Sequence, residues 1–524
     1  MNRFTLTLIV VSYKALRLFR QVVADVIRKG RVEVHGFDTR GSFVPAGVLV
    51  PEGRFGRLFP TLDARPATGD ALADPMGASG GPMDAGATAG DESHDSRTIP
   101  AGFTFLAQFL DHDLDFDPTS SIERQADPNA ITNFRTPSLD LDNVYGAGPI
   151  ATPYIYNQPA AEQLLLDPTN PDLARNPQGK ALIGDPRNDE NMIISQLQRA
   201  FLRCHNAIVS GLEAGTFNDV FGNPANVNED TTGGESTVFL AAQQLLRWHY
   251  QWLIIHEFLP LICGQHIVDD ILRTGPKFYR PSEKQQPYIP VEFSVAAYRF
   301  GHPTVRAFYD INAANLAVPL FPTDPAAPPP TLTTRTDLRG GPVGPAFQID
   351  WARFFNRDPA HPPQKAKRIE PLLNTLLLDL PNGVIPANVI APLRSLATRN
   401  LLRSEALMVP SGQDVARALG ANVLKAADLR TIAQNAGSNT PLPLSDEQLN
   451  DCYLWYYLLA EAFHDANGDS LGETGARIVA EVFIGVIDAD GLTYRNMYPK
   501  WTPTLPSALP GTFTIVDLLN LAGV

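Results

Sequence analysis

The stretch Phe105-Leu-Ala-Gln-Phe-Leu-Asp-His-Asp-Leu-Asp-Phe-Asp-Pro118 decides the fold, because it places one histidine between two carboxylates in an apolar setting. If residues 105–114 form one helix, Gln108 and His112 lie i,i+4 apart on the same face. The neighbouring Asp111 and Asp113 then diverge by about a third of a turn to either side. One face could therefore serve a substrate while a carboxylate beside it holds a metal. An acidic helix end that merely faces solvent is the simpler interpretation of the triplet alone.

The composition is that of a globular protein and excludes several classes of function. The chain has 524 residues, of which 44% are hydrophobic and 19% charged, as is ordinary for a soluble globular protein. Its net charge of -14 argues against a nucleic-acid partner, because phosphate contacts need clustered Lys and Arg. Cys204, Cys263 and Cys452 are far apart, so the sequence predicts neither a disulfide framework, nor a metal-binding CxxC, nor the CxxCH of covalent c-type haem.

Residues 1–30 are predicted to form a basic amphipathic helix, because apolar residues recur at helical spacing with Lys and Arg between them. Such a helix could contact an anionic membrane surface peripherally, although docking on the rest of the protein is the favoured interpretation. The longest apolar runs are too short for a transmembrane span, so none is predicted. The apolar leader is also short for a signal peptide. The sequence leaves secreted, periplasmic and cytoplasmic locations open.

The rest of the chain is predicted to be a mainly α protein with few short strands. Residues 31–100 are interpreted as an N-terminal extension with a flexible linker, since residues 64–96 are rich in Ala, Gly, Asp and Pro. Residues 101–524 are interpreted as one catalytic domain, in which the Pro-rich residues 319–345 form an insertion. Helical periodicity indicates helices over residues 191–212, 236–259, 369–378, 389–401, 413–419, 445–466 and 472–487.

Four pairs of polar residues at helical spacing supply what a haem site between helices needs. A histidine can ligate iron, an amide or carbonyl can accept from its second ring nitrogen, and arginines can neutralise the propionates. Taken singly, each pair is better explained by a surface arginine and a core histidine with satisfied hydrogen bonds. The pairs are Gln108 and His112, Arg187 and Glu190, Arg299 and His302, and Asn400 and Arg403.

Eight segments follow one another in a recognisable order: GRFGRLFPTL from Gly53, AQFLDHDLDF from Ala107, RTPSLDLDNVYG from Arg135, GDPRNDENMIISQLQRAFLRCHN from Gly184, FSVAAYRFGH from Phe293, NLLRSEALMVPSGQDVARALG from Asn400, LWYYLLAEA from Leu454 and LGETGARIVAEVFIG from Leu471. In this order they resemble the animal-type haem peroxidase family, also called the peroxidase-cyclooxygenase superfamily, in a form like its bacterial members. The resemblance implies a helical peroxidase fold that holds haem b between central helices.

The resemblance implies that His112 is the distal acid-base catalyst and that Arg187 is its distal partner. His112 would take a proton from peroxide and return it to the departing oxygen. Arg187 would stabilise the negative charge that develops as the O–O bond breaks. Gln108 resembles the family residue that helps to hold water or a halide. The implied activity is the H2O2-dependent oxidation of small donors, such as phenols, halides or thiocyanate, through a ferryl haem intermediate.

On the opposite side of the haem, the resemblance makes His302 the proximal iron ligand. Asn400 corresponds to the residue that accepts from its second ring nitrogen, and Arg299 and Arg403 correspond to the haem-side arginines. Pro303, directly after His302, is unusual for the family. It predicts either a kinked proximal helix or a helix that ends at His302.

A calcium site is implied beside the distal histidine. Its ligands resemble Asp113, Thr136, Ser138, Asp140 and Asp142, the last four of which alternate along one loop. Carboxylate, hydroxyl and carbonyl oxygens at this spacing suit a hard cation with about seven ligands. The alternative is an Asx-rich turn without metal.

Other positions bear on covalent haem links and on the type of reaction. Asp111 and Glu190 match the residues that form ester links to haem in mammalian members, and esters are a hypothesis for this chain. Asn191 stands where myeloperoxidase-like members carry a methionine, so the sulfonium link is not available. Cyclooxygenases and alpha-dioxygenases carry a radical tyrosine three residues before the proximal histidine, where this chain has Arg299. Tyr298 is expected to face another side of a helix, which disfavours fatty-acid oxygenation.

Three functions follow, from three different classes. A haem peroxidase that uses H2O2 and a small reducing substrate is favoured by the complete set of His112, Arg187, His302 and Asn400. A haem-dependent fatty-acid oxygenase is the alternative, on family kinship and the basic N-terminal helix. A haem-binding or calcium-binding module without turnover is the third. The sequence predicts neither the oligomeric state nor the identity of the reducing substrate.

Overall fold

Helices dominate the part of the chain that the structure describes. The protein is represented by a computed structural model that describes residues 53–86, 90–116, 131–158, 162–225, 236–281, 287–322, 324, 327–382, 384–385 and 388–524. The predicted helix of residues 1–30 lies outside these residues. The longer α-helices of the described part are α1 Asp70–Gly77, α2 Gly102–Leu114, α3 Met192–Glu213, α4 Thr237–Leu253, α5 Leu259–Cys263, α6 Gln265–Thr274, α7 Leu396–Ala406, α8 Gly412–Leu419, α9 Ala426–Asn435, α10 Leu454–Ala466, α11 Glu473–Ala489 and α12 Ile515–Leu521.

The strands are short and form three small sheets. Strand β1 (Gly53–Gly56) lies between β3 (Thr132–Asn133), to which it is antiparallel, and β4 (Ile289–Pro290), to which it is parallel. The other two sheets are antiparallel pairs. They join β2 (Asp95–Pro100) to β7 (Lys365–Lys367) and β5 (Phe308–Tyr309) to β6 (Val318–Pro319). The predicted fold class, mainly α with few short strands, is confirmed.

Most of the predicted helices are present, with different ends. Helices α3 and α11 match residues 191–212 and 472–487 to within two residues at either end. The helix predicted over 369–378 is wrong, because only the 3-10 turn Thr375–Leu377 forms there. Pro371 lacks an N–H for a helix, and the side chain of Asn374 accepts from the Leu376 N–H and starts the turn instead.

The interpretation of residues 64–96 as a flexible linker is wrong for α1. Ala73 and Met76 of this helix are fully buried, and α1 packs against α7. Gly77 lies so close to α7 that a Cβ on it would sit 2.4 Å from the Thr398 backbone nitrogen. The small residues that suggested a linker therefore allow α1 and α7 to pack closely.

Helix α2 is the centre of the core rather than an amphipathic surface helix. All of its residues except Gln108 are buried. The ring of Phe109 stacks on Phe201 of α3 with centroids 4.2 Å apart, and truncating such a ring to alanine typically costs about 3–5 kcal/mol. Phe105 packs edge-on against Tyr309 and Phe354. The acidic residues of α2 are therefore held inside the protein, which excludes the interpretation as a helix end facing solvent.

The core extends well beyond α2 in both directions along the chain. Phe55 and Phe59 of the predicted N-terminal extension belong to the same hydrophobic cluster as the helices of residues 101–524.

Within the described residues, no helix combines the length and apolar character needed to cross a membrane.

Candidate active site

A cavity lies beside α2 and is lined by both predicted haem-site histidines. About 260 Å³ of it is open to water-sized spheres, just below the range of about 300–1,000 Å³ that is typical of ligand cavities. One side is polar, with Gln108, Asp111, His112, Glu190 and Asn191. The rest is largely apolar and includes Phe105, Leu320, Phe321, Leu377, Leu380, Val384 and Leu396.

A chain of amides fixes the tautomer of His112. The Gln198 amide nitrogen donates to the backbone carbonyl of Asn143, so its oxygen must face the Asn188 amide nitrogen, 2.8 Å away. Asn188 Oδ1 is thereby turned towards His112 Nδ1, at 2.6 Å. A carbonyl oxygen can only accept, so Nδ1 carries the proton and Nε2 keeps its lone pair. Sequence reasoning missed Asn188, although it lies between the predicted Arg187 and Glu190.

His112 is held in its neutral form. Burial and the positive charge of Arg187 lower the pKa of His112 to about 4, against the opposing effect of nearby carboxylates. At neutral pH the imidazole is therefore uncharged and Nε2 can accept a proton.

Glu190 and Gln108 lie beside the free nitrogen of His112. The Glu190 Oε1 atom is 3.7 Å from His112 Nε2 and accepts a short hydrogen bond from the Gln108 amide. Asn191 donates to Gln108 Oε1 at 3.2 Å. Desolvation raises the pKa of Glu190, against the effects of Arg187 and the Gln108 bond, although about half of the side chain stays exposed. The pKa of this carboxyl group is thereby shifted towards neutral pH.

Arg187 does not face the cavity. It follows Asp185, whose carboxylate caps the turn Pro186–Asp189 by accepting from the Arg187 N–H at 2.8 Å. The same carboxylate binds the guanidinium, which also donates to the carbonyls of His112 and Asp115 and lies 4.4 Å from the Phe116 ring centroid. In this conformation Arg187 supports the end of α2. A contact with bound peroxide would require rotation of its side chain.

His302 ends a turn instead of lying inside a helix. The 3-10 helix Ala297–Gly301 stops there, and Pro303 follows, so the structure shows the second of the two arrangements expected from Pro303. Burial and the charge of Arg299 lower the pKa of His302 to about 3. The imidazole is thus neutral and able to ligate a metal.

The side-chain amide of Asn400 forms a hydrogen bond with the His302 ring. The amide atom placed as Nδ2 lies 2.7 Å from His302 Nδ1. If Nδ2 donates, the ring proton must sit on Nε2. If the amide is turned by 180°, Oδ1 accepts from Nδ1–H and Nε2 is left with a free lone pair. Iron ligation by Nε2 requires the second orientation, which exchanges only the amide oxygen and nitrogen.

Tyr298 lines the same cavity as His112 and His302. The expectation that it faces another side of a helix is wrong. The prediction compared Tyr298 with position 299, although Tyr298 lies four residues before His302 and residues four apart lie near one face of a regular helix. Its hydroxyl donates to the Ala107 carbonyl at 3.1 Å.

The predicted haem-side arginines differ in how well their surroundings are defined. Arg299 pairs with Asp111 at 3.2 Å and donates to the Ser294 carbonyl. The second carboxylate oxygen of Asp111 is buried and has no hydrogen-bond partner among the described residues. Burial and the charge of Asp111 raise the pKa of Asp115 to about 7. Arg403 lies near enough to Asp115 for its positive charge to oppose this shift.

The residues present fit a haem. Two neutral imidazoles, with their Nδ1 atoms tied to amides, line one cavity whose remaining wall is mostly apolar. The unpartnered oxygen of Asp111 and the guanidinium of Arg299 would supply polar groups to a bound haem.

A carboxylate cluster lies on the other face of α2. One oxygen each of Asp113, Asp140 and Asp142 lies within 4.8 Å of the others. Among the described residues Asp113 Oδ1 is buried without a hydrogen-bond partner, whereas Asp142 Oδ1 lies 3.3 Å from Arg135 Nη1. Burial and mutual repulsion raise the pKa of Asp113 and, to about 7, that of Asp142, although Arg135 opposes the shift of Asp142. Buried oxygens held together in this way suit a cation such as Ca²⁺.

Two hydroxyls predicted as calcium ligands behave differently. The Thr136 hydroxyl lies within the cluster and donates to both oxygens of Asp140. The Ser138 hydroxyl instead donates to Asp490 at 2.8 Å. Its side chain is therefore not directed at the cluster in this conformation.

Comparison with known proteins identifies the fold. A family model described as animal haem peroxidase matches residues 123–323. Peroxidase A from Dictyostelium discoideum superposes with a TM-score of 0.53 at 15% identity, covering 87% of this chain and 92% of that one. No curated protein matches the sequence.

Two fatty acid alpha-dioxygenases have a similar fold. The Arabidopsis thaliana enzyme has a TM-score of 0.52 at 14% identity, covering 81% of this chain and 75% of its own. An Oryza sativa variant solved with palmitic acid has a TM-score of 0.51 at 15% identity, covering 82% and 73%. Identities this low show a common fold and leave the reaction open.

Proposed function

Because the animal haem peroxidase model matches the chain and its fold is that of the peroxidase-cyclooxygenase superfamily, we propose that the protein is a haem peroxidase. It uses H2O2 to oxidise small donors such as phenols, halides or thiocyanate. One observation carries the proposal: the amide chain of Asn188 and Gln198 leaves His112 Nε2 as a free base in the cavity that His302 also lines.

The haem that His302 would hold supplies the iron centre at which the O–O bond is cleaved. The residues around it handle protons. His112 Nε2 takes a proton from one peroxide oxygen and returns it to the other, and Nδ1–H stays bonded to Asn188 throughout. The positive charge that His112 gains is stabilised by Asn188 Oδ1 and by Glu190, 3.7 Å from Nε2.

Gln108 and Asn191 position the carboxyl group of Glu190. Asn191 donates to the Gln108 carbonyl oxygen, and Gln108 donates to Glu190. This arrangement keeps a carboxyl group beside His112 and can orient peroxide or a halide in the cavity.

Glu190 and Asp111 border the same cavity, which supports the hypothesis of ester links to haem. Mass spectrometry that finds only acid-extractable free haem would refute the links.

The test is reconstitution of the full chain with haem, followed by absorption spectra with stoichiometric H2O2 and a donor screen. We expect a Soret band, a rapid spectral change with peroxide, and oxidation of at least one phenol or halide. In the matched pair His112→Gln and His94→Gln, only the first should lose the peroxide response, because His94 pairs with Glu370 outside the cavity. Equal responses in both variants would contradict the proposed role of His112.

A fatty-acid oxygenase is the second candidate, and the position of Tyr298 favours it. Its ring lines the cavity, where an oxidised tyrosine could take a hydrogen from a lipid chain lying along Leu377, Leu380 and Val384. Oxygenated product from palmitic acid under O2, lost in Tyr298→Phe, would place this function above the peroxidase.

A further inference from the structure

Of the five tryptophans, all in the described part of the chain, only Trp455 has its ring in contact with a histidine of the cavity. Its indole meets His302 edge-on, with ring centroids 6.2 Å apart and an interplanar angle of 78°. Trp248, Trp252 and Trp501 pack together elsewhere, and Trp351 packs against Phe354 and Phe355.

We propose that Trp455 supplies the second electron taken up by peroxide and holds the resulting cation radical. The inference rests on the proposed peroxidase function. Indoles and phenols are among the most easily oxidised side chains, and an electron from this indole reaches the cofactor through the His302 ring.

The electrons balance over one turnover. Over the whole turnover H2O2 accepts two electrons and two protons and becomes two molecules of water, of which only the first is released when the O–O bond breaks. One electron comes from the haem iron and the other from the indole of Trp455. Two one-electron oxidations of the donor substrate return both electrons and release the two protons.

The surroundings of Trp455 suit a cation radical that keeps its N–H proton. The indole is fully buried, so neither solvent nor a second peroxide reaches it. Its Nε1–H donates to the Arg299 carbonyl at 3.1 Å. The negative end of that carbonyl dipole faces the charge that develops, and a carbonyl is too weak a base to remove the proton.

The same argument disfavours Tyr298 as the electron source. A phenol must give up its proton when it is oxidised, and within the described part of the chain the Tyr298 hydroxyl has only the Ala107 carbonyl as its acceptor. Burial and nearby negative charge raise the pKa of Tyr298 well above its usual value. Oxidation of Tyr298 would therefore strand a proton, whereas oxidation of Trp455 would not.

The test is rapid-freeze electron paramagnetic resonance of the haem-loaded full chain after one equivalent of H2O2. We expect an organic radical whose spectrum narrows when the tryptophans carry deuterated indole rings. This labelling experiment needs no substitution. The signal should be lost in Trp455→Phe and retained in the matched variant Trp351→Phe, with the same Soret band in both.

Three outcomes would overturn the proposal. The signal could persist in Trp455→Phe, it could narrow with deuterated tyrosine and vanish in Tyr298→Phe, or the absorption spectrum could place the second oxidation on the porphyrin. In each case peroxide still reacts and the peroxidase function stands. A haem-loaded protein that does not respond to peroxide would overturn the function and this inference together.

Discussion

The two histidines of the cavity are alike in burial and protonation but differ in what surrounds their rings. Each is neutral because burial lowers its pKa, and each meets an asparagine amide at Nδ1. His112 lies near the end of a long core helix and has the Glu190 carboxyl 3.7 Å from Nε2. His302 ends a short turn and has the indole of Trp455 beside its ring.

The difference indicates a division of labour. A neutral imidazole with a carboxyl group near its free nitrogen can receive and return protons. A neutral imidazole without such a group, and with an oxidisable ring next to it, suits metal ligation and electron transfer. Substitutions that affect proton handling and cofactor binding separately would therefore test the comparison.

Replacement of His302 should have the largest effect. In His302→Gly we expect loss of stoichiometric haem binding, because the cavity loses its proposed iron ligand. The measurement is the Soret absorbance during titration with haem, and added imidazole should restore it. His112→Gly is the matched control and should retain haem. Equal haem affinity in the two variants would contradict the assignment of His302.

Replacement of His112 should slow the reaction with peroxide without releasing haem. Loss of a general acid-base group typically costs about 10²–10⁴-fold in rate. Stopped-flow absorption of His112→Gln after mixing with H2O2 measures the effect. A rate within a few-fold of the unsubstituted protein would show that another group, such as Glu190, carries the proton.

Replacing Asn188 or Asn400 should distinguish the roles of His112 and His302 by smaller effects. Partners that orient a ligand or catalytic histidine are typically worth about 10–100-fold in affinity or activity. We expect Asn188→Ala to slow the peroxide reaction, because His112 loses the acceptor that fixes its tautomer. Asn400→Ala should instead weaken haem binding. If both variants change the same parameter, the division between the two histidines fails.

Local spacing predicted part of this site. Gln108 and His112 are one turn apart, so the sequence alone placed them on one face of a helix, and the structure agrees. His302 and Asn400 are 98 residues apart, so their meeting followed only from the family resemblance. The chain of Asn188 and Gln198 joins elements whose relative positions no local pattern fixes.

Arg187 and Tyr298 show two further limits of prediction from the sequence. Arg187 was expected to face the cavity, but Asp185 at the start of its turn binds the guanidinium first. Burial opposes ionisation of Asp185, yet Arg187 and Arg135 hold its pKa well below its usual value. Tyr298 was assigned to the wrong side because it was compared with position 299 and not with His302, four residues away. The distal role of Arg187 stays a prediction.

The smallest effect should come from the carboxylate cluster, which reaches the cavity only through α2. A cation bound to Asp113 would hold the helix that carries His112, whereas His302 lies on a separate turn. We therefore expect calcium removal to change the peroxide rate a few-fold and to leave haem affinity unchanged. Asp113→Asn should mimic chelation.

The effect of calcium on stability should depend on pH in a defined direction. Burial and the neighbouring carboxylates raise the pKa of Asp142 to about 7, despite the opposing charge of Arg135. Without a cation, the folded protein then binds more protons than the unfolded chain between roughly pH 4 and pH 7, so its stability falls as pH rises through this window.

Calcium competes with those protons and should bind more tightly at pH 8 than at pH 5. At a hundred-fold excess over Kd it adds about 2.7 kcal/mol, so thermal unfolding with Ca²⁺ and with chelator should differ more at pH 8. A calcium shift that is equal at both pH values, or that persists in Asp113→Asn, would locate the bound ion elsewhere.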